Sequence, residues 1–455
     1  MKEHSKVQVI PRKIEWAVSI KVQLYIAMLV LVMFSQLIAY IAYTLDPGAL
    51  ILYKPNFWLQ GIYGLFLSGI VASVVFLLPY GVWLYIFYFF KKFRYTLAIL
   101  TIVALGFLLT PWASARYGAK RWLFGFQVSD IAKFSALILV VFVLDEIWKN
   151  WKLKGLSPAH MPISEFILTL ATLLILVFSM FVNAVLGSAI ILTTLIVYVV
   201  VIVVIESRIS GTNFFYMALL YGIMYLLILF EPDISTSSLF AMWFLAMLML
   251  WYGRRGMLIS LTIMIGIVLL AITLRHVPLE TTIPPAFSHA IDRLVVWRSP
   301  FIDPNGISYH IVKNYLAVFK GGLWGSYPIN IAYIPPVPWS DAILPFTAVS
   351  MGILFEFLLV ILWFLWGIFF LVSGLRMRGI EGMFVSGFSL WFLLQVIFNM
   401  LSTYDIFPPT GISIPFLSWG RTGLIIFTTL NSISAVLVSM HWDGKNKDIL
   451  RRISQ

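Results

Sequence analysis

The stretch Gly118–Leu144, GAKRWLFGFQVSDIAKFSALILVVFVL, poses the central question of this chain. Its second half is an uninterrupted apolar run of the kind that crosses a bilayer. Yet four ionisable residues, Lys120, Arg121, Asp130 and Lys133, crowd the entrance. Charge placed in lipid costs kilocalories, so such residues normally face a partner or a water-filled cavity. Asp130 and Lys133 are three apart, which puts them on one face of a helix, where they can pair. Such a pair can simply pin the helix. Whether it does more depends on what else the chain places at that depth.

The rest of the chain is equally apolar. Of its 455 residues 61% are hydrophobic and only 11% charged, and the mean hydropathy is +0.97. A soluble core of this size would carry far more charge on its surface. Runs of about 20 apolar residues recur from end to end. They mark spans at 20–44, 61–90, 95–113, 129–148, 163–182, 184–205, 213–230, 234–252, 257–275, 342–373, 382–402 and 421–440. The runs are continuous rather than alternating, which excludes a transmembrane β-barrel. The first, Ile20–Thr44, is too long for a signal-peptide core and lacks a small-residue cleavage site, so it reads as a retained helix. There is no cysteine, hence no disulfide framework, thiol nucleophile or thiolate metal site.

The net charge of +12 is spread over KKFR (91–94), KNWKLKG (149–155), GRRG (253–256), LRMRG (375–379) and the two tails. No basic stripe gathers it, which speaks against nucleic acid. All these segments fall on one side if both termini are cytoplasmic and the odd-numbered helices run outward. The expected fold class is therefore an all-α polytopic membrane protein with about 12 transmembrane helices. It forms a single integral membrane domain over residues 1–455, and 276–340 is its large extracytoplasmic loop. Within that loop, AFSHAIDRLVVW (286–297) has helical spacing and suits a short helix lying at the interface.

The remaining polar residues gather toward the outer side of this topology: Arg121, Asp130 and Lys133; Glu231 and Asp233 in FEPDIST; Arg293 and Asp303 in the loop; and Asp341. Each also has a structural role open to it. Trp122 can be an interfacial anchor, Asp341 can oppose a helix macrodipole, and Asp233 or Ser235 can cap the helix that follows Pro232. KGGLWG (320–325) offers glycines for close backbone approach, as in anion nests, but a lone Gly-Gly is weak evidence. PPTGISIPFLSWG (408–420) is irregular at membrane depth, which is tolerated only where backbone is buried or lines a cavity. His276, His289 and His310 lack metal-ligand spacing, and there is no Walker loop, GxGxxG or HExxH.

Taken in order, these segments resemble the SEDS family (shape, elongation, division and sporulation). Its fourth-helix pattern appears as Gly118, Ala119, Arg121 and Trp122, then Gln127, Ser129, Asp130 and Lys133. Its Q-P-D-L-G-T appears as Glu231 to Thr236. The loop pattern R-L-x-x-F-x-x-P-x-x-D-P-x-G-x-x-Y is met by Arg293, Leu294, Trp297, Pro300, Asp303, Pro304, Gly306 and Tyr309. Then come Gly321, Gly322, Leu323 and Gly325, the pair Ser340-Asp341, and Pro408 through Gly420. Departures mark a distant member: Val349 and Ser350 stand where the family usually has paired glutamates, Arg421 replaces a glycine and Val128 a proline. Family members typically have ten spans, so 163–205 reads as an inserted hairpin.

The resemblance implies a peptidoglycan polymerase of the bacterial cytoplasmic membrane. It would join lipid II units by an inverting β-1,4 glycosyl transfer and release undecaprenyl pyrophosphate. Asp341 then matches the family's essential aspartate, the general base. Arg121 and Lys133, joined by Arg293, would meet the pyrophosphate; Asp130 would orient a cation and Trp122 would stack on a sugar. Asp303 and Ser340 complete the substrate-binding set. A divalent cation (Mg2+ or Mn2+) can assist in the family, although no dedicated metal site is visible. The expected partner is a class B penicillin-binding protein, a transpeptidase. A lipid-linked sugar flippase, an inactive transpeptidase scaffold and a polymerase of another lipid-linked glycan stay open as alternatives.

Overall fold

The computed structural model describes residues 20–45, 69–153, 163–274 and 288–453, apart from 79, 111–113, 117–118, 124–125, 183, 232, 327 and 378. Helix α1 (Ile20–Thr44) is followed by helical residues at 69–77, α2 (Tyr80–Leu108) and three short strands. Then come α3 (Val128–Leu153), α4 (Ile163–Ser179), α5 (Ala184–Ser210), α6 (Thr212–Phe230), α7 (Ile234–Trp251) and α8 (Gly253–Leu274). Two helices of the long loop, α9 (Ser288–Arg298) and α10 (Tyr309–Gly321), precede α11 (Ile343–Met351), α12 (Ile353–Arg376), α13 (Ile380–Thr403) and α14 (Arg421–Ile453). Among the described residues, 6 helices are long and apolar enough to cross a membrane, and shorter apolar helices accompany them. The chain is a multi-pass membrane protein.

Three expectations need correction. Residues 61–90 and 95–113 are not two spans parted by a loop at Lys91–Arg94, because α2 runs unbroken through those cations. Nothing in KKFR breaks a helix, whereas Pro79, which cannot donate to a helical ladder, stands just after the residues of the preceding helix. The span at 342–373 is two helices, broken at Gly352 with φ 92°. Finally, the chain is not purely helical: β1 (Ser114–Arg116), β2 (Ala119–Leu123) and β3 (Phe126–Gln127) form an antiparallel sheet leading into α3. Of the segment expected to be helical at 286–297, residues 288–297 lie in α9, and 286–287 are outside the described residues.

Helix α13 is central. It packs on α3, α7, α12 and α14, and its small residues let neighbours close in. The indole of Trp243 on α7 donates to Gly387 O at 2.8 Å, and its ring stacks on Trp391 with centroids 4.6 Å apart. Close approach of this kind is how membrane helices associate when no hydrophobic gain separates lipid from protein.

Helices α4 and α5 join the bundle through a buried ionic knot. Arg255, at the start of α8, donates through Nε to Glu165 Oε2 at 2.7 Å and pairs through Nη2 with the same carboxylate. Its Nη2 also lies 2.5 Å from Glu206 Oε1, and all three side chains are at most 2% exposed. Ser210 donates to Glu206, and the guanidinium lies over the Trp151 ring. One planar cation thus ties the start of α4, the end of α5 and the end of α3. Removing one partner from a buried pair strands a charge, at about 3–5 kcal/mol. Arg255→Ala should therefore lower unfolding stability in detergent by that order. The combined replacement Glu165→Gln, Glu206→Gln, Arg255→Met should cost less than Arg255→Ala alone.

Candidate functional site

The irregular stretch 408–420 is the frame of the site. Its carbonyls are taken up by side chains from the helices around it. Gln36 of α1 donates to Phe416 O at 2.6 Å, Trp363 of α12 to Pro415 O at 2.8 Å, and Asn399 of α13 to Ile412 O at 2.7 Å. Ser418 Oγ accepts from Ile414 N. From Ile414 to Ser418 the chain is buried, and these bonds supply the partners that backbone needs when it leaves helical geometry at this depth.

The same frame grips the turn that carries Asp341. Ser418 Oγ donates to Ser340 O at 2.8 Å, Trp419 N to Trp339 O at 2.7 Å, and Asn399 Nδ2 to Asp341 O at 3.1 Å. Val337 and Phe416 adopt φ of 53° and 65°, rare for residues with a Cβ and uncommon above all for β-branched valine. Such backbone persists only where its surroundings over-determine it. Asp341 itself is half-buried. Its Oδ1 accepts from Ser340 Oγ at 2.9 Å, so Ser340 orients the carboxylate by one oxygen.

The charges at α3 reach this frame from the other side. Lys133 Nζ and Asp130 Oδ1 are 2.7 Å apart, both residues buried, and the ammonium lies 5.9 Å from the Phe427 ring centre. Gln127 N donates to Thr422 Oγ1 at 3.0 Å. A methyl group on Gly423 would come within 3.3 Å of Asp130 Oδ2. The start of α14, four residues past Ser418, is therefore fastened to the start of α3. One continuous segment, 408–423, thus touches the Asp341 turn at one point and the Asp130–Lys133 pair at the next.

The other expected residues divide. Trp122, half-buried, lies in β2 opposite Ser114 and Gln127, which sets the sheet against the entrance of α3. Arg121 lies in the same strand; its side chain is outside the described residues. Arg293 donates to Ser235 Oγ at 3.4 Å, joining α9 to the first turn of α7. Asp233 caps that helix, accepting from Thr236 N at 3.1 Å and Thr236 Oγ1 at 2.8 Å. Asp303 is exposed, and its carboxylate accepts from Gly306 N at 3.0 Å and Ile307 N at 3.3 Å. It builds its own turn.

The glycines of KGGLWG serve packing. A Cβ on Gly321 would fall 2.0 Å from Ala348 O, and one on Gly325 2.6 Å from Ser350 O. Ser326 N donates to Val349 O, and Ile353 N to Gly322 O, both at 2.9 Å. The positions where the family usually has glutamates thus carry a fully buried Val349 and a Ser350 that bonds its own helix. In the middle of α10, Tyr315 bonds Asp405; burial first, then that carboxylate, raises its phenol above the ordinary range.

Two contributors escaped the sequence reading. Asn399 lies in an apolar run four residues after Gln395, on the same helical face. That repeat of amides was the available signal. Glu356, buried in the first turn of α12, accepts from the Tyr404 hydroxyl. Among the described residues no three His, Cys, Asp or Glu side chains converge to hold a metal.

Fold and site together define a multi-pass membrane protein with an irregular polar frame presenting one oriented carboxylate. Residues 206–442 match the family model described as Cell cycle protein, of FtsW, RodA and SpoVE, and the chain belongs to that family. It is 25% identical over 242 residues to "Probable peptidoglycan glycosyltransferase FtsW" of Enterococcus hirae, covering 51% of this chain and 60% of the relative. The homonymous protein of Halothiobacillus neapolitanus is 25% identical over 209 residues, 44% of this chain and 48% of the relative. The matches thus span half to three-fifths of these relatives. A chain solved for the structural coordination of polymerization and crosslinking by a peptidoglycan synthase complex shares the fold, with TM-score 0.57 at 16% identity over 92% of this chain and 97% of that one.

If Asn399 holds the frame, Asn399→Ala leaves the carbonyls of Asp341 and Ile412 without that donor. Leaving a buried acceptor unpaired costs about 1–3 kcal/mol. Denaturant unfolding in detergent should show a loss of that size, whereas Asp303→Ala, on an exposed turn, should lose less than 1 kcal/mol, roughly.

Proposed function

We propose that this chain is a peptidoglycan glycosyltransferase that polymerises lipid II. The observation that carries this reading is the half-buried carboxylate of Asp341, oriented by Ser340 and seated on a main chain that Ser418, Trp419 and Asn399 hold in place. Family membership and the names of its relatives point to the same chemistry.

In the reaction, the 4-hydroxyl oxygen of one sugar attacks the anomeric carbon of a lipid-linked donor. The new C–O bond forms as the hydroxyl proton passes to Asp341, acting as general base. The bond from the anomeric carbon to the pyrophosphate breaks, and undecaprenyl pyrophosphate leaves with the electron pair. A single displacement inverts an α-linked donor to a β-1,4 product. Cations stabilise charge as it develops on the leaving group. Arg121, in β2, and Lys133 are assigned to that task, with Arg293 of α9. Lys133 keeps donors beyond the one given to Asp130. Trp122 offers a ring for a sugar face.

The site faces outward, about twelve spans place both termini in the cytoplasm, and the membrane is the bacterial cytoplasmic membrane. A class B penicillin-binding protein is the partner that cross-links the product. Residues 1–455 form one domain, in which 163–205 is an inserted hairpin.

Two experiments test this. Reconstituted with lipid II, the protein should yield glycan polymer, and Asp341→Ala should lower the rate at least about a hundredfold, the lower range for loss of a general base. Polymerisation undiminished in a folded Asp341→Ala variant removes the base; lipid II translocation without polymer returns the flippase reading. Because the chain has no cysteine, single cysteines report topology directly. In intact cells an impermeant maleimide should label Ile302→Cys, at an exposed loop residue, and leave Lys149→Cys unlabelled until the cells are opened.

A further inference from the structure

The opposite end of the bundle carries polar groups that the proposed chemistry does not use. Lys91, Lys92 and Arg94 follow one another within a single helical turn of α2, whose flanks on both sides are apolar. A cavity of about 380 Å³ is lined by these three cations together with Tyr88 and Tyr95. Opposite stands one carboxylate. Glu146 of α3 receives Arg94 Nη2 at 2.6 Å and Asn213 Nδ2 at 3.1 Å, with Lys91 Nζ at 3.9 Å. Arg94 and Lys91 thus share a single acid whose Oε2 already takes two hydrogen bonds, and Lys92 adds a third positive charge beside them.

Two donors at this cavity have nothing to donate to. Arg94 is 8% exposed. Its Nη1 bonds Lys91 O at 3.0 Å, but its buried Nε has no acceptor, and neither does the buried hydroxyl of Tyr95. A buried donor left unpaired is destabilising, and an acceptor entering the cavity would relieve that. Positive charge plus convergent N–H and O–H donors selects an oxyanion, and a phosphate diester fits that description.

The surroundings identify the source. Tyr85, Tyr88 and Phe89 are exposed on the same helix, as aromatic residues are where a membrane helix meets the headgroup layer. At 29 residues, α2 is about 43 Å long and exceeds the roughly 30 Å hydrocarbon layer. Lys91 and Lys92, both exposed, have the stems to reach headgroups from an apolar helix. A soluble phosphate would need no aromatic collar.

We propose that Lys91, Lys92, the Nε of Arg94 and the hydroxyl of Tyr95 form a binding site for the phosphate of an anionic phospholipid, at the end of the bundle away from Asp341. The test is a titration of the detergent-solubilised full chain with phosphatidylglycerol, phosphatidylcholine or inorganic phosphate, bound lipid being counted by native mass spectrometry. Phosphatidylglycerol should be retained selectively. Lys91→Gln with Lys92→Gln should weaken it about thirtyfold, the combined effect of two basic residues at a membrane surface. Tyr95→Phe, which keeps every charge, should weaken it several-fold and carries the test if the double variant does not fold. Equal retention of phosphatidylcholine, or binding unchanged in Tyr95→Phe, overturns the proposal. Inorganic phosphate that displaces the lipid at matched concentration would assign the site to a free anion and overturn it as a lipid site.

Discussion

Backbone that leaves the helix inside a membrane must find partners for every N–H and C=O, because lipid supplies none. In this protein that constraint converges on residues 408–420. Gln36, Trp363 and Asn399 come from three different helices to satisfy consecutive parts of one irregular strand of chain. The strand can therefore hold a shape no regular element offers, and it uses that shape to fix the turn at 337–342. The position of Asp341 is thus a property of the assembled bundle.

Much of this was legible beforehand, for a physical reason. Span-length apolar runs announce themselves in composition, and α1, α6 and α7 lie within a residue of where hydropathy puts them. The (i, i+3) spacing of Asp130 and Lys133 produced the pair it implies. Boundaries failed where apolarity was the wrong signal. Hydropathy drops at Lys91–Arg94, but no residue there breaks a helix, so α2 continues. Hydropathy stays high across Gly352, yet the close approach of Leu323 O demands a residue without a side chain, and the helix ends. Asn399 was invisible because a single amide scarcely dents an apolar window; what makes it matter is which carbonyls lie opposite, a fact of tertiary structure.

The departures from the family pattern also take on physical meaning. Val349 and Ser350 sit where α11 presses its backbone on Gly321 at the end of α10 and on Gly325 just beyond it, a tightly filled contact. Their side chains point away from acid–base work, which leaves Asp341 to carry the proton transfer proposed for this site. Glu356, further along and paired with Tyr404, is a buried carboxyl in the first turn of α12. The ionic knot of Glu165, Glu206 and Arg255 has a different character: it fastens α4, α5 and α8 to one another through side chains, away from the 408–420 frame.

The glycine contacts between α10 and α11 carry a mechanical consequence. With Gly321 against Ala348, Gly325 against Ser350, and Gly322 accepting from Ile353, the surface loop is geared to the membrane helices by main chain rather than by side chains that can swivel. A displacement of the exposed rim at Phe319 or Trp324 would therefore pass through main chain to α11, whose first turn follows directly on Asp341. Moving that rim would move the main chain that leads to the carboxylate.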